Sequence, residues 1–323
     1  MNDKTAQRLA ASLILAAVPG LVNGAYPERP VRLLVPSSAG SGPDVIARLL
    51  ATRLTAIFGQ QVVADNRAGA NGVLASEMVA RATPDGYTLL MTSSGHTSNP
   101  HIYRKLPYDT LADFTPITCF ATTGGLVVVV TPTFAARTVQ QLIDLARAAP
   151  GKIAYASAGV GNLTHLAVEM FKLMANVNIV HVPYKGGGPA IIDVIGGQVP
   201  IMFASGPASI PHVKTGRLRA LAFTGLKRSE QIPDVPTMDE SGLKGFEATS
   251  WYGLYGPARL ATPIVNRLYE ATRDAVHHPE ARNAYAQFDI EPIDMKPQDF
   301  ARFLKDDLVK YEKIVKAAGI ERQ

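Results

Sequence analysis

Hydroxyls and glycines gather at a few points of this sequence, and most of its candidate binding chemistry lies there. Ser37-Ser38-Ala39-Gly40-Ser41-Gly42 comes first, closed by Pro43 and Asp44. Thr92 to Asn99, Ser157 to His165, Pro183 to Pro189 and Ala204-Ser205-Gly206-Pro207 follow. Before the first of these, Val31–Val35 has the size and β-branched content of a buried strand, and Pro36 ends it. From Pro43 the period becomes helical, with Ile46, Leu49, Leu50, Leu54, Ile57 and Phe58 on one face. Proline suits the first helical position, where an amide hydrogen would be unpaired anyway. Strand, permissive loop and fresh helix N-terminus make a cradle for an anion. Loop amides are left free, glycine lets a backbone come close, and the helix dipole presents its positive end. A plain βα turn would look the same in isolation; the recurrence of such loops downstream favours binding.

Single residues in these loops divide between contact and support. Asp44, in a first helical turn, suits the dipole; it could also accept a ligand hydrogen bond or hold the loop's amides. Lys185 is the one cation inside a candidate loop, placed either to pair with a carboxylate or to stand as a surface lysine. His96 reads as a loop donor or as an exposed side chain. His165 and Glu169 are spaced i,i+4, but two ligands alone do not make a metal site, and His165 reads better as a polar residue near a helix start. Cys119, the single cysteine, excludes an internal disulfide and reads as a small buried hydrophobe rather than a catalytic thiol.

Patterns for catalysis are missing. Neither Ser157 nor Ser205 has glycine two positions before it, so neither fits a nucleophile elbow. There is no phosphate loop ending in Gly-Lys-Ser/Thr, no His-Glu-x-x-His and no cysteine pair for zinc. Gly40 and Gly42 are followed by Val45, and Gly159 and Gly161 by Thr164, where a dinucleotide fingerprint needs a third glycine. What recurs is neutral donors, suited to reversible capture of a small carboxylate. No catalytic residue, metal or cofactor is expected.

The elements that must position these loops alternate along the chain. Strands are expected at Val31–Val35, Gln61–Ala64, Tyr87–Met91, Leu126–Thr131, Ile153–Ala156, Ile179–Val182, Val199–Phe203, Leu218–Phe223 and Trp251–Tyr255, with helices between many of them. Three helices close the chain, Pro263–Val276, Pro279–Gln287 and Gln298–Ala318. This alternation predicts parallel sheets with helices on both faces. The strands are too many for one comfortable sheet, so two α/β lobes with a cleft between them are expected. The predicted division is 26–125 plus 249–323 for a discontinuous first lobe and 126–248 for the second, crossing near Leu126 and Thr249.

Composition sets the class. With 47% hydrophobic and 18% charged residues, the 323-residue chain can build sizeable cores. Residues 1–25 read as a secretory leader: Lys4 and Arg8, an apolar run from Leu9 to Val18, then a break at Pro19-Gly20 and small residues to Ala25. The run is too short to span a bilayer. An exported protein without a lipid anchor is therefore expected. The formal charge of +5 is scattered rather than gathered into a stripe, which argues against nucleic acid.

Eight stretches in order carry a resemblance: VPSSAGSGPDVIARLL, DNRAGANG, PDGYTLLM, NPHIYRKLPYD, GVGNLTHLAVE, VPYKGGGPAIIDVIGGQV, PDVPTMDESG and SWYGLYGP. Together they resemble the Bug-type receptors, the periplasmic substrate-binding proteins of tripartite tricarboxylate transporters, from about Tyr26 to the C-terminus. The resemblance implies a two-lobed periplasmic binding protein of the type II, Venus-flytrap kind, holding a small carboxylate or related metabolite between its lobes. By matching motif, it implies first-lobe contacts from Ser37, Ser38, Ala39, Gly40, Ser41, Asp44, Ser93, His96 and Asn99. Second-lobe contacts would come from Gly159, Asn162, Leu163, Thr164, His165, Tyr184, Lys185, Gly186 and Ser205. Three positions depart from the pattern: Ser37 stands where an aromatic residue is usual, Pro43 where Thr is, and Asn162 where Ser or Thr is common. A more open pocket is expected, whose ligand need not be a dicarboxylate. The implied protein is a monomeric, periplasmic receptor without enzymatic activity, partnered by the transporter's membrane permease. Two other readings stand beside it. One is a secreted α/β hydrolase using Ser93 or Ser157 with His96 or His165; the other is a ligand-sensing subunit of a signalling system.

Overall fold

The computed structural model describes residues 26–323; the expected leader, residues 1–25, lies outside them. In order, the chain forms β1 (Val31–Val35), α1 (Gly42–Phe58), β2 (Val62–Asn66), α2 (Val73–Ala80), β3 (Thr88–Ser93), α3 (Gly95–Ile102) and β4 (Phe114–Thr123). It continues through β5 (Leu126–Val130), α4 (Val139–Ala148), β6 (Ala154–Ser157), α5 (Leu163–Ala175), β7 (Val180–Pro183), α6 (Gly187–Ile195), β8 (Ile201–Ser205), α7 (Gly206–Lys214) and β9 (Arg219–Phe223). The last elements are β10 (Trp251–Pro257), α8 (Thr262–His277), α9 (Pro279–Ala286), β11 (Ile290–Met295) and α10 (Pro297–Ala317).

The strands form two sheets. One has six strands in the order β11-β4-β10-β3-β1-β2, the other five in the order β7-β6-β8-β5-β9. The chain leaves the larger sheet between Thr123 and Leu126 and returns between Phe223 and Trp251. Each sheet is covered on both faces. Leu33, Ile46, Leu50, Leu254 and Leu268 pack one side of the first; Leu34, Leu90, Trp251 and Phe300 pack the other. In the second, Val128, Leu142, Phe171 and Phe203 fill one face, and Val127, Ile191, Val194 and Met202 the other.

The expectation of parallel sheets needs correction: both are mixed. β10 runs antiparallel to β3 and β4, β11 antiparallel to β4, and β5 antiparallel to β8 and β9. The reversed strands include the two at which the chain arrives from the other lobe, β5 and β10. A strand entering from outside is not tied by a βαβ crossover, so its direction is free. Two strands were not expected at all, β4 and β11. Of the Ser93–Asn99 stretch, expected as loop, Ser93 ends β3 and Gly95–Asn99 starts α3.

Candidate ligand cleft

The lobes meet over a cavity of about 320 Å³ lined from both sides. Five helices begin at its wall: α1 at Gly42, α3 at Gly95, α5 at Leu163, α6 at Gly187 and α7 at Gly206. First-turn amides have no partner within their own helix, and each dipole presents its positive end there. Lys185, exposed, is the one cationic side chain of the lining, and no Asp or Glu side chain belongs to it among the described residues. The field in the cleft is therefore positive, built mainly from backbone.

Ser37 and Ser41 line the first wall, and the Ser41 hydroxyl ties the loop by bonding Ser37 Oγ at 2.9 Å and the Ser38 carbonyl at 2.7 Å. Asp44 is only 4% exposed and sits beneath this loop rather than in the lining. Its carboxylate accepts from Gly40 N at 2.9 Å and Asn66 Nδ2 at 2.9 Å, and pairs with Arg48 Nε at 2.9 Å. Burial alone would raise its pKa, but these donors, Arg48 foremost, outweigh it and hold the carboxyl below its ordinary value. Asp44 supports the loop. Ser38 and Ala39 meet lobe 2 directly: Ser38 Oγ accepts from Gly188 N at 3.1 Å. Gly188 must be glycine there, since a Cβ would stand 2.4 Å from the Ala39 carbonyl oxygen.

Ser93 lines the cleft, but His96 and Asn99 do not. His96 is enclosed by Tyr108, Phe114 and Tyr255, with Nε2 on the Thr110 carbonyl at 3.2 Å; burial lowers its pKa to about 4. α3 turns it into the core, so it is neither exposed nor a ligand donor. Asn99 stands one step behind the wall, accepting from Asn71 Nδ2 at 2.8 Å.

In the second wall, Gly159, Asn162, Leu163, Thr164, Tyr184, Lys185, Gly186 and Ser205 all line the cleft. His165 does not. Its Nδ1 accepts from Gly161 N at 3.2 Å, and its ring lies against that of His181. Glu169 is taken by Tyr155 and Lys172, so no His165–Glu169 pair is left open for a metal. The serine–histidine pairs considered for a hydrolase are not formed: Ser157 Oγ meets His181 Nε2, at 2.5 Å, and Ser157 is fully buried. Tyr184 turns its hydroxyl away to Asp193 Oδ2, at 2.6 Å, and burial with that carboxylate raises its pKa to about 12.

One expectation about the loops is corrected here. The amides of Gly40, Ala158, Gly159 and Gly161 are already spent, on Asp44, Thr164, Ser157 and His165. They fix the loops' shapes. In the helix first turns beside them, Thr164 N and Gly188 N are also taken, by Asn162 Oδ1 and Ser38 Oγ, so the donors left for a ligand are the other first-turn amides.

Sequence reasoning missed part of the site. Asn71, in the DNRAGANG turn, lines the cleft and bridges the lobes by accepting from Asn162 Nδ2 at 3.2 Å. It adopts the left-handed region, φ 48°, which asparagine tolerates, and that feature was readable as a turn but not as a contact. Tyr252, in the returning strand β10, and Ser250, just before it, also line the cleft. Further lobe-to-lobe bonds join Ser98 Oγ to the Gly161 carbonyl at 3.0 Å, and Ser229 Oγ to Asp289. The lobes are closed on each other.

Two α/β lobes shut on a cavity of helix N-termini define a solute-binding protein of the periplasmic type. The particular family follows from comparison. The model of the tripartite tricarboxylate transporter family receptor matches residues 46–320, and the chain belongs to that family. A UPF0065 protein from the tcbD-tcbE intergenic region of Pseudomonas sp. strain P51 is 36% identical over 292 residues, covering 90% of this chain and 87% of that relative. The periplasmic binding protein BugD has a similar structure, with TM-score 0.89 and 33% identity over 92% of this chain and 100% of that one. So does R. palustris Rpa4515 with adipate, with TM-score 0.89, 34% identity and the same coverage. MatC from Rhodopseudomonas palustris with bound malate gives TM-score 0.84 at 27% identity, over 90% of this chain and 100% of that one.

Proposed function

We propose that this receptor captures a small carboxylate between its lobes, outside the cytoplasmic membrane, and hands it to the membrane subunits of a tripartite transporter. The observation that carries the reading is the convergence of five helix N-termini and Lys185 on one cleft whose described lining holds no Asp or Glu side chain. Such a site attracts an anion without any single strong ion pair, which suits capture and later release. Similar proteins hold adipate and malate. The division into lobes at 26–125 plus 249–323 and 126–248 goes with this reading, since closure then turns about the segments near Leu126 and Thr249. Residues Ser37, Ser41, Ser93, Gly159, Asn162, Leu163, Thr164, Lys185, Gly186 and Ser205 form the ligand-facing set, with Ser38, Ala39, Gly40, Asp44, Asn99 and His165 behind it. The receptor works as a monomer without catalysis.

Calorimetry and thermal shift with adipate and malate test this. A ligand present at 100 times its Kd stabilises the folded chain by about 2.7 kcal/mol, several degrees in Tm. If neither acid, nor the corresponding monoacids and amides, raises Tm, the carboxylate reading is wrong. Hydrolysis of an ester probe that depends on Ser157 would overturn the non-catalytic part.

A further inference from the structure

One group of titratable side chains lies behind the cleft rather than in it. Tyr155, His181 and His165 stack in that order, with centroids 4.9 Å and then 4.1 Å apart and planes within 20°. They come from β6, β7 and α5, and the parallel register of β6 with β7 puts Tyr155 beside His181. Both imidazoles hold the turn that opens the second-wall loop. His181 Nε2 meets Ser157 Oγ at 2.5 Å, and that oxygen accepts from Gly159 N at 3.1 Å. His165 Nδ1 accepts from Gly161 N at 3.2 Å. A ring nitrogen that accepts an amide hydrogen carries no proton, so His165 is the neutral tautomer with its proton on Nε2.

The groups facing the pair come from three elements. Tyr155 lies on β6, each histidine faces the other, and Glu169 and Lys172 lie on α5. Glu169 stands 3.7 Å from His165 Nε2 but also takes Tyr155 Oη at 2.6 Å and Lys172 Nζ at 2.8 Å. From lobe 1, α3 meets the loop through Ser98 and Ile102, neither of them charged.

We propose that His165 and His181 are positioning residues of the binding site: when neutral they hold the Ser157–Gly161 turn in its ligand-receiving shape, and a proton on the pair releases it. The receptor would then hold its ligand at neutral pH and let it go in acid; this rests on the reading of the cleft as a carboxylate site. A proton on Nδ1 of His165 turns an acceptor into a donor facing the Gly161 N–H, and two opposed donors cannot stay in place. Two charged rings at stacking distance repel, so the pair accepts one proton and resists the second. Burial foremost lowers both histidines; for His181, burial and then His165 bring the pKa to about 4. The sign follows. Between about pH 6.5 and the lowered values the held form binds fewer protons than the released one, so acidification favours release.

The test follows the Gly159 and Gly161 amide signals of ¹⁵N-glycine-labelled chain from about pH 7.5 to about pH 4, in the wild type and in a His165→Asn/His181→Gln variant. Asn presents an oxygen where Nδ1 stood and Gln one where Nε2 stood, and neither titrates in this range. Both wild-type signals should move together with a midpoint below about 6.5, and those of the variant should stay still. Wild-type signals that do not move, or that move equally in the variant, overturn the proposal. Adipate affinity gives a second reading, in which the variant reports the acid's own protonation. Wild type should lose about tenfold more affinity than the variant across the range, the equivalent of one hydrogen bond; equal losses count against it. If adipate binds neither protein at neutral pH, the carboxylate reading of the cleft fails, and the glycine signals still decide this one.

Discussion

The two walls of the cleft do the same job with different supports. The Ser37–Ser41 loop rests on an ionic network, in which Asp44 gathers Gly40, Asn66 and Arg48. The Ser157–Thr164 loop rests on neutral groups: a threonine hydroxyl, a serine hydroxyl and two imidazoles. Asp44 stays ionised into acid, because its donors hold its carboxyl low. Imidazoles lose their accepting role as soon as they take a proton. The first wall is therefore a fixed floor over the range in which the second can give way. A two-lobed receptor needs only one yielding wall to release its ligand, because closure requires both.

The largest expected effect comes from wedging the walls apart without touching either support. Gly188→Ala puts a methyl group 2.4 Å from the Ala39 carbonyl oxygen, a backbone atom that cannot swing aside. Within lobe 2 the change is harmless, since Gly188 lies in α6 and alanine is the better helix former. Overpacking of this kind costs about 1–3 kcal/mol, so ligand affinity should fall about tenfold to a hundredfold while the Tm of the ligand-free chain holds. Small-angle scattering should show a larger radius of gyration. Unchanged affinity would mean that the lobes need not close this far.

Next comes the first support. Asp44→Ala removes the acceptor of the Gly40 amide, one of two acceptors of the Asn66 amide and the partner of Arg48. Gly40 and Arg48 are exposed, so loss of about 1–2 kcal/mol of stability is expected. For a chain of this size that is a drop of several degrees in Tm, with affinity falling as well because the first wall loosens. The contrast with lobe 2 predicts that this loss is the same at neutral and mildly acid pH. A loss that disappears on mild acidification would show that Asp44 titrates there, and the two walls would no longer differ.

Much of this was legible locally, and the reasons are physical. Pro36, the glycines after Ser157 and the run Gly186-Gly187-Gly188 punctuate the chain where a strand gives way to a helix, and each of these stretches reaches the cleft, at Pro36, Gly159, Gly186 and Gly187. Punctuation of this kind is a backbone property that neighbours in sequence decide. Strand direction is not. The antiparallel placing of β5 and β10 depends on which lobe the chain has come from. β4 and β11 were hidden by Pro116 and Pro292, residues that speak against a strand; β11 lies at the sheet edge, and Pro116 sits beside a register irregularity opposite Tyr255. Side-chain destination was the least legible. His96 goes into a cage built from Tyr108, Phe114 and Tyr255, and His165 onto His181, partners that only the folded register supplies. A histidine in a polar loop looked like a ligand donor because sequence shows the loop and not the ring's neighbours.

The smallest effect sharpens the comparison from the other side, at the mouth of the cleft. Lys185 is the one cation of the described lining, yet it is exposed, so water and salt share its field with any ligand. An exposed ion pair contributes about 0–1 kcal/mol, so Lys185→Ala should weaken carboxylate binding by no more than about fivefold. That deficit should shrink toward nothing as ionic strength rises to about 1 M, where the Debye length falls to about 3 Å. The helix first turns act differently, because their donors are fixed in the wall and partly out of water. Titration calorimetry of wild type and variant at low and high salt separates the two contributions. A hundredfold loss on removing the lysine, persisting in high salt, would make Lys185 the anchor and reduce the helix N-termini to bystanders. Retention of most of the affinity places the recognition in the backbone of both walls, where the difference between their supports governs when the ligand leaves.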